Sequence, residues 1–118
     1  MNISVLALAY MGDAVFEILV REKLVRLGIP VNELHMKAKE YVSAAAQSEM
    51  YHKIEELLTE EEKNVLRRGR NAKSNSRSKN ADVTQYRHAT GLEAVFGHLH
   101  LKGEKERIEY IFGKCTDE

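Results

Sequence analysis

Asp13 and Glu93 are the residues of this chain best suited to chemistry, because each is an acid set in a stretch otherwise almost bare of charge. From Ile3 to Val20 the only acids are Asp13 and Glu17, one helical turn apart on one face, and from Ala89 to Leu101 the only acid is Glu93. An unpartnered carboxylate on an apolar helix is costly, by several kcal/mol or more when buried, so such groups persist where a cation compensates them. With oxygen donors and no thiolate nearby, the cation implied is Mg²⁺, with Mn²⁺ able to substitute. Such an ion orients a water, lowers its pKa and stabilises the charge that develops as a phosphodiester is cut.

Gly12 beside Asp13, and Gly91 and Gly97 around Glu93, are each unfavourable inside a helix by about 1 kcal/mol relative to alanine. With Ala94 they make a small-residue surface that lets a second helix approach and bring the two acids together. The alternative is that the glycines only permit tight packing, and that Asp13 and Glu93 are satisfied by Arg87 or by backbone amides.

The second chemical feature is basic. The chain carries 18 basic and 18 acidic residues, so its formal net charge is zero and global electrostatics favours no polyanion. Between Asn64 and Ala81, however, there is no acid, and Arg67, Arg68, Arg70, Lys73, Arg77 and Lys79 crowd together. With Asn71, and with Tyr86, Arg87 and His88 just before the turn that carries Glu93, these residues suit contact with the phosphates of a nucleic acid duplex; the alternatives are a solvated basic loop and a Tyr86 that belongs to the core. The segment from Gly69 to Ser74 lacks the spacing and preceding strand of a phosphate loop, so nucleotide binding is not indicated. His98 and His100 point to different helix faces and do not form a ligand pair. Cys115, the only cysteine, excludes an intrachain disulfide and a thiolate zinc site, lies at a frayed end, and fits a reducing, cytoplasmic setting. The N-terminal apolar run lacks a basic leader region and is interrupted by acids, so neither a signal peptide nor a membrane span is expected.

The elements that must position these groups read as all-α, about six helices in one domain over residues 1–118. Asn2 or Ser4 caps a first helix that stops at Gly28-Ile29-Pro30. Val31 to Leu58 reads as two helices divided near Val42-Ser43. Thr59 and Glu62 have the spacing of a capping box, opening a helix to about Arg70. Asn71 to Asn80 reads as an exposed loop, Asp82 or Thr84 caps the helix carrying Glu93, and Gly103 precedes a last amphipathic helix.

The segment Ala9-Tyr10-Met11-Gly12-Asp13-Ala14-Val15-Phe16-Glu17 resembles the signature helix of the ribonuclease III family, Glu-Phe-Leu-Gly-Asp-Ala-Val-Leu-Glu. Gly91-Leu92-Glu93-Ala94-Val95-Phe96-Gly97 resembles that family's second acidic helix, Asp-Thr-Phe-Glu-Ala-Leu-Ile-Gly. The resemblance implies an all-α, dimeric endonuclease domain that cuts double-stranded RNA with Mg²⁺, in which Asp13 and Glu93 are the metal-binding and catalytic acids and Glu17 supports their helix. Ala9 and Thr90 stand where the family has a Glu and an Asp. No room remains for the double-stranded-RNA-binding domain that usually follows. That absence, with the Arg-Gly-Arg-Asn-Ala-Lys segment at 68 to 73, resembles the Mini-ribonuclease III branch. The branch implies a homodimer that trims the large-subunit (23S) ribosomal RNA precursor, with a ribosomal protein as a candidate presenter of the substrate. A competing expectation, motivated by Ala9 and Thr90, is a catalytically silent RNA-binding or ribosome-assembly module on the same fold; a third is a purely structural helical dimer.

Overall fold

A computed structural model describes residues 2–73 and 82–116. Among them lie six α-helices, α1 (Val5–Val25), α2 (Val31–Val42), α3 (Ala44–Ile54), α4 (Glu60–Asn71), α5 (Val83–Leu101) and α6 (Lys105–Cys115), with a 3₁₀ turn at Glu55–Leu57 and no strand. The turn tightens the chain between α3 and the Thr59 cap.

Four of the six helices start where a side chain accepts the first free amides, while α2 after Pro30 and α6 after Glu104 have no such cap. Ser4 caps α1, Ser43 caps α3, and Asp82, rather than Thr84, caps α5 by accepting from Thr84 and Gln85 amides. Thr59 and Glu62 form the full reciprocal capping box of α4. Gly28 (φ 68°) and Gly103 (φ 74°) end α1 and α5 in the left-handed conformation that a Cβ disfavours.

The long helices α1 and α5 make the most extensive helix contact, and α4 and α3 pack on other sides of α5. Glycine sets how close they come. A Cβ built on Gly12 would lie 1.6 Å from the carbonyl oxygen of Glu93, and one on Gly97 would lie 1.9 Å from that of Leu8. Neither is possible, so α1 and α5 cross backbone to backbone only because both positions lack a side chain. A second crossing joins α4 to α5: a Cβ on Gly69 would lie 2.8 Å from Gly91 Cα, and one on Gly91 would lie 2.7 Å from the Leu66 carbonyl oxygen.

Beside the first crossing Phe16, Phe96 and Phe112 form the aromatic centre of the core, with Phe16 5.6 Å from Phe96 and 5.7 Å from Phe112 between ring centroids. Val20, Ile54, Leu92, Val95, Leu99 and Ile111 complete its fully buried part. Cys115 is 1 % exposed and lies inside the last turn of α6, not at a frayed end, and burial pushes its thiol up to about 12. It is core filling and not a reactive thiol. Among the described residues no helix is long and apolar enough to cross a membrane.

Candidate active site

The crossing of α1 and α5 puts the two acids side by side. Gly12 rests on the Glu93 carbonyl, so the next residue, Asp13, projects beside the Glu93 side chain. Burial raises the Glu93 carboxyl to about 8, and the negative charge of Asp13 and a hydrogen bond shared with it push in the same direction. A carboxyl buried beside another acid ionises less readily, so Glu93 favours its protonated form. Asp13 itself stays exposed. The alternative in which Arg87 neutralises the acids is not what the structure shows: Arg87 is exposed, and the partners of Glu93 are Asp13 and Gln47.

Gln47 is the site residue that sequence reasoning missed. It is 2 % exposed, and its Nε2 donates to Glu93 Oε2 and to the Val42 carbonyl, each at 3.4 Å. Its Oε1 is buried without a hydrogen-bond partner, and a bare amide oxygen of this kind is unfavourable by about 1–3 kcal/mol. A signal was available, because Gln47 shares the stripe of Met50, Tyr51 and Ile54 on α3, all buried. The donation favours the charged form of Glu93, against burial and Asp13.

A cleft of about 520 Å³ opens beside Glu93, lined by Ser43, Gln47, Gln85, Tyr86, Ala89 and Thr90 among others. Thr90 and Ala9 show what became of the positions where the ribonuclease III pattern has acids. Thr90 Oγ1 donates to the Tyr86 carbonyl of its own helix at 3.1 Å, and Ala9 is packed in the core. Glu17 is half-buried and pairs with Arg21, one turn on in the same helix, at 3.3 Å.

The donors present fit a divalent hard cation. Among the described residues no group of three or more His, Cys, Asp or Glu side chains is arranged for a metal. A pair of carboxylates with the buried Gln47 amide alongside is too sparse for zinc, which takes a close set of nitrogen and sulfur ligands. It suits an ion of the Mg²⁺ kind, which keeps several waters and takes one or two carboxylates from the protein.

Of the basic residues, Arg67, Arg68 and Lys73 are exposed and Arg70 is half-buried, the arginines on the last turns of α4, with exposed Asn71 closing the helix. Arg77 and Lys79 lie outside the described residues. Tyr86 is half-buried on the cleft wall, and Arg87 follows it. The α4–α5 crossing brings this basic end to the acidic helix, since a Cβ on Gly91, two residues before Glu93, would lie 3.3 Å from the Arg70 backbone nitrogen.

A second polar cluster ties the same elements together. Ser48 Oγ and His88 Nδ1 are hydrogen-bonded at 2.8 Å, the His88 ring stacks on Tyr51 at 4.2 Å, and the Tyr51 hydroxyl accepts from Arg70 Nη1 at 3.2 Å. Burial, and then the neighbouring His52 and Arg70, hold the His88 imidazole below its ordinary range, so it stays neutral beside the guanidinium.

A sequence profile of the Ribonuclease III domain matches residues 6–104. The chain is 52% identical over 113 residues to a Mini-ribonuclease 3 of Enterococcus faecalis, covering 93% of this chain and 86% of the relative. It is 48% identical to a Mini-ribonuclease 3 of a Thermoanaerobacter species, covering 94% of this chain and 79% of the relative. A crystal structure of a Fusobacterium nucleatum protein superposes with a TM-score of 0.90 at 32% identity, over 98% of this chain and 94% of that one. Both acids lie within the matched span, at the crossing its glycines make possible, and the chain belongs to the ribonuclease III family of double-stranded-RNA endoribonucleases.

Proposed function

We propose that the chain is a single catalytic domain which, as a homodimer, cuts double-stranded RNA in the precursor of large-subunit (23S) ribosomal RNA, with Asp13 and Glu93 as its Mg²⁺-binding acids. The observation that carries this reading is the placing of the half-buried Glu93 carboxyl beside Asp13 where α1 and α5 cross, a pair whose repulsion a cation would relieve. When bound, a divalent ion supplies positive charge at the scissile phosphate and makes water a better nucleophile. Water then adds at phosphorus as the bond to O3′ breaks, leaving 5′-phosphate and 3′-hydroxyl ends. Asp13 and Glu93 would hold the ion, Gln47 steadies Glu93, and Glu17 supports the helix that carries Asp13. Arg67, Arg68, Arg70, Asn71 and Lys73, joined by Arg77, Lys79, Tyr86 and Arg87, grip the backbone of an A-form duplex, which is read by shape and 2′-hydroxyls.

Relatives named Mini-ribonuclease 3 support the branch, and the ribosomal substrate is what the resemblance to that branch implies. With this substrate the protein would act in the cytoplasm, where a ribosomal protein is a fitting presenter. The homodimer is supported by exposed apolar side chains at the start of α1: Leu6 and Tyr10, four residues apart on the helix, are 37 % and 83 % exposed, and Ile3, just before the Ser4 cap, is exposed as well. A dimer would set one site against each strand. The test is incubation of a structured 23S precursor with the protein, with Mg²⁺ and with a chelator, and mapping of the ends. Paired cuts on opposite strands of the terminal stem, only with the ion, are expected; an intact stem in Mg²⁺ would overturn the substrate assignment.

A further inference from the structure

We propose that Tyr51 is a positioning residue for RNA, the buried phenol that holds the Arg70 guanidinium at the angle in which it meets a phosphate. The inference rests on the reading of Arg70 as an RNA contact and adds what makes that contact directional. Arginine recognises phosphate through a planar fork, so its orientation matters as much as its charge. A long side chain at the end of a helix would ordinarily sample many rotamers and lose that entropy on binding.

Here the plane is fixed before RNA arrives. Arg70 Nη1 donates to the Tyr51 hydroxyl at 3.2 Å, and Nε donates to Asn71 Oδ1 at 3.1 Å, two anchors on different atoms of one rigid group. The anchor is itself held. Tyr51 is 2 % exposed, its ring stacked on His88 at 4.2 Å and 22° and met edge-on by His52 at 5.4 Å. His88 is tied in turn to Ser48 at 2.8 Å. The arrangement spans α3, α4 and α5, and α3 uses one face for two tasks: Gln47 reaches Glu93, and Tyr51, one turn on, reaches Arg70. The acid that would hold the ion and the fork that would hold the phosphate thus share a single rigid support.

The test compares Arg70→Ala, Tyr51→Phe and the double variant by fluorescence anisotropy with a labelled duplex RNA in a chelating buffer, so that nothing is cut, over a series of salt concentrations. Arg70→Ala is expected to weaken binding and to lower the salt slope by about 1. Tyr51→Phe, which keeps the ring and every charge, is expected to weaken binding about threefold to tenfold with the salt slope unchanged, and the double variant should bind no worse than Arg70→Ala alone. In cleavage, Tyr51→Phe should raise KM and leave kcat unchanged, a split that general loosening of the core would not give. Should Tyr51→Phe fail to fold, His88→Asn removes the stacked ring while leaving the phenol, and the same loss of affinity without change in slope is expected. Unchanged binding in Arg70→Ala would overturn the RNA contact and the inference with it. Weakened binding in Arg70→Ala, with Tyr51→Phe unaffected or additive to it, would overturn the role of Tyr51 alone.

Discussion

Replacing Glu93 with Gln should make the metal-free protein more stable at alkaline pH while abolishing the site. Burial, with Asp13 beside it, raises the Glu93 carboxyl from 4.5 to about 8. A carboxyl whose pKa is raised on folding stabilises the fold fully below its unfolded value, here near 4.5, and that contribution is lost as pH rises through about 8. At about 1.36 kcal/mol per pH unit the shift corresponds to roughly 5 kcal/mol as an upper limit. Asp13 is exposed and water reaches its side of the pair, so the effective penalty on the charged form is nearer 2 kcal/mol. For a domain of this size that is a rise in Tm of about 8 °C. The assay is thermal unfolding of wild type and Glu93→Gln at one protein concentration, in chelator, from pH 4 to pH 9. The two curves should meet at the acid end and diverge steadily above pH 5, the variant being the more stable. Saturating Mg²⁺ should then reverse the order at neutral pH, because only wild type gains binding energy, about 2.7 kcal/mol at a hundredfold excess over Kd. Parallel curves at every pH, or a variant less stable than wild type at pH 9 without metal, would refute the reasoning.

Other consequences are more local. Gly97→Ala places a Cβ 1.9 Å from the Leu8 carbonyl oxygen and should be destabilising by about 3 kcal/mol or more, seen as a loss of fold or a large drop in Tm. Ala at Gly113, whose Cβ would meet nothing, should be tolerated in the same assay. Arg107 donates to both oxygens of buried Glu62, at 2.8 and 2.7 Å, and joins α6 to the start of α4. Arg107→Ala leaves that buried acid without its cation, with only the Thr59 amide still donating to it, and should cost about 3 kcal/mol in chemical denaturation. Burial alone would raise the Glu62 carboxyl, but Arg107 and the Thr59 cap outweigh it and hold it below the usual range. Its contribution is therefore present above the unfolded pKa of about 4.5 and lost as pH falls through the lower folded value, and Glu62→Gln should flatten the acid limb of the stability curve. Replacing Arg67, Arg68, Arg70 and Lys73 together by Ala should weaken binding to duplex RNA and flatten its salt slope, and an unchanged slope would show that this end of α4 faces away from RNA.

What could be read before the structure was what local physics decides. Ser4, Ser43, Thr59 and Asp82 mark helix starts because an amide at each start needs a partner that only a side chain can give. The meeting of Asp13 with Glu93 was legible because glycine inside a helix demands a reason, and Gly12 and Gly97 have the same one, the passage of one backbone against another. The pairing of Gln47 with Glu93 and of Tyr51 with Arg70 was not legible. The helical period buries both on α3, but which groups face them depends on how α4 and α5 cross, and no spacing within one helix encodes that. Glu62 is a related case: its capping role showed in the local pattern, while its long-range pairing with Arg107 did not. Thr90 and Ala9 are instructive in the other direction. Set against the ribonuclease III pattern they marked two missing acids, and the structure shows a hydroxyl turned onto its own helix and a methyl in the core, so Asp13 and Glu93 are left with Gln47 for support.

The most direct test of the central claim is cleavage of one duplex RNA by wild type, Asp13→Asn and Glu93→Gln over a Mg²⁺ titration, with RNA affinity measured on the same preparations. The account predicts a rate in wild type that rises with the ion, a loss of two or more orders of magnitude in both variants, and RNA affinity in chelator that is unchanged or slightly stronger as negative charge is removed. Cleavage at the wild-type rate by either variant would contradict it.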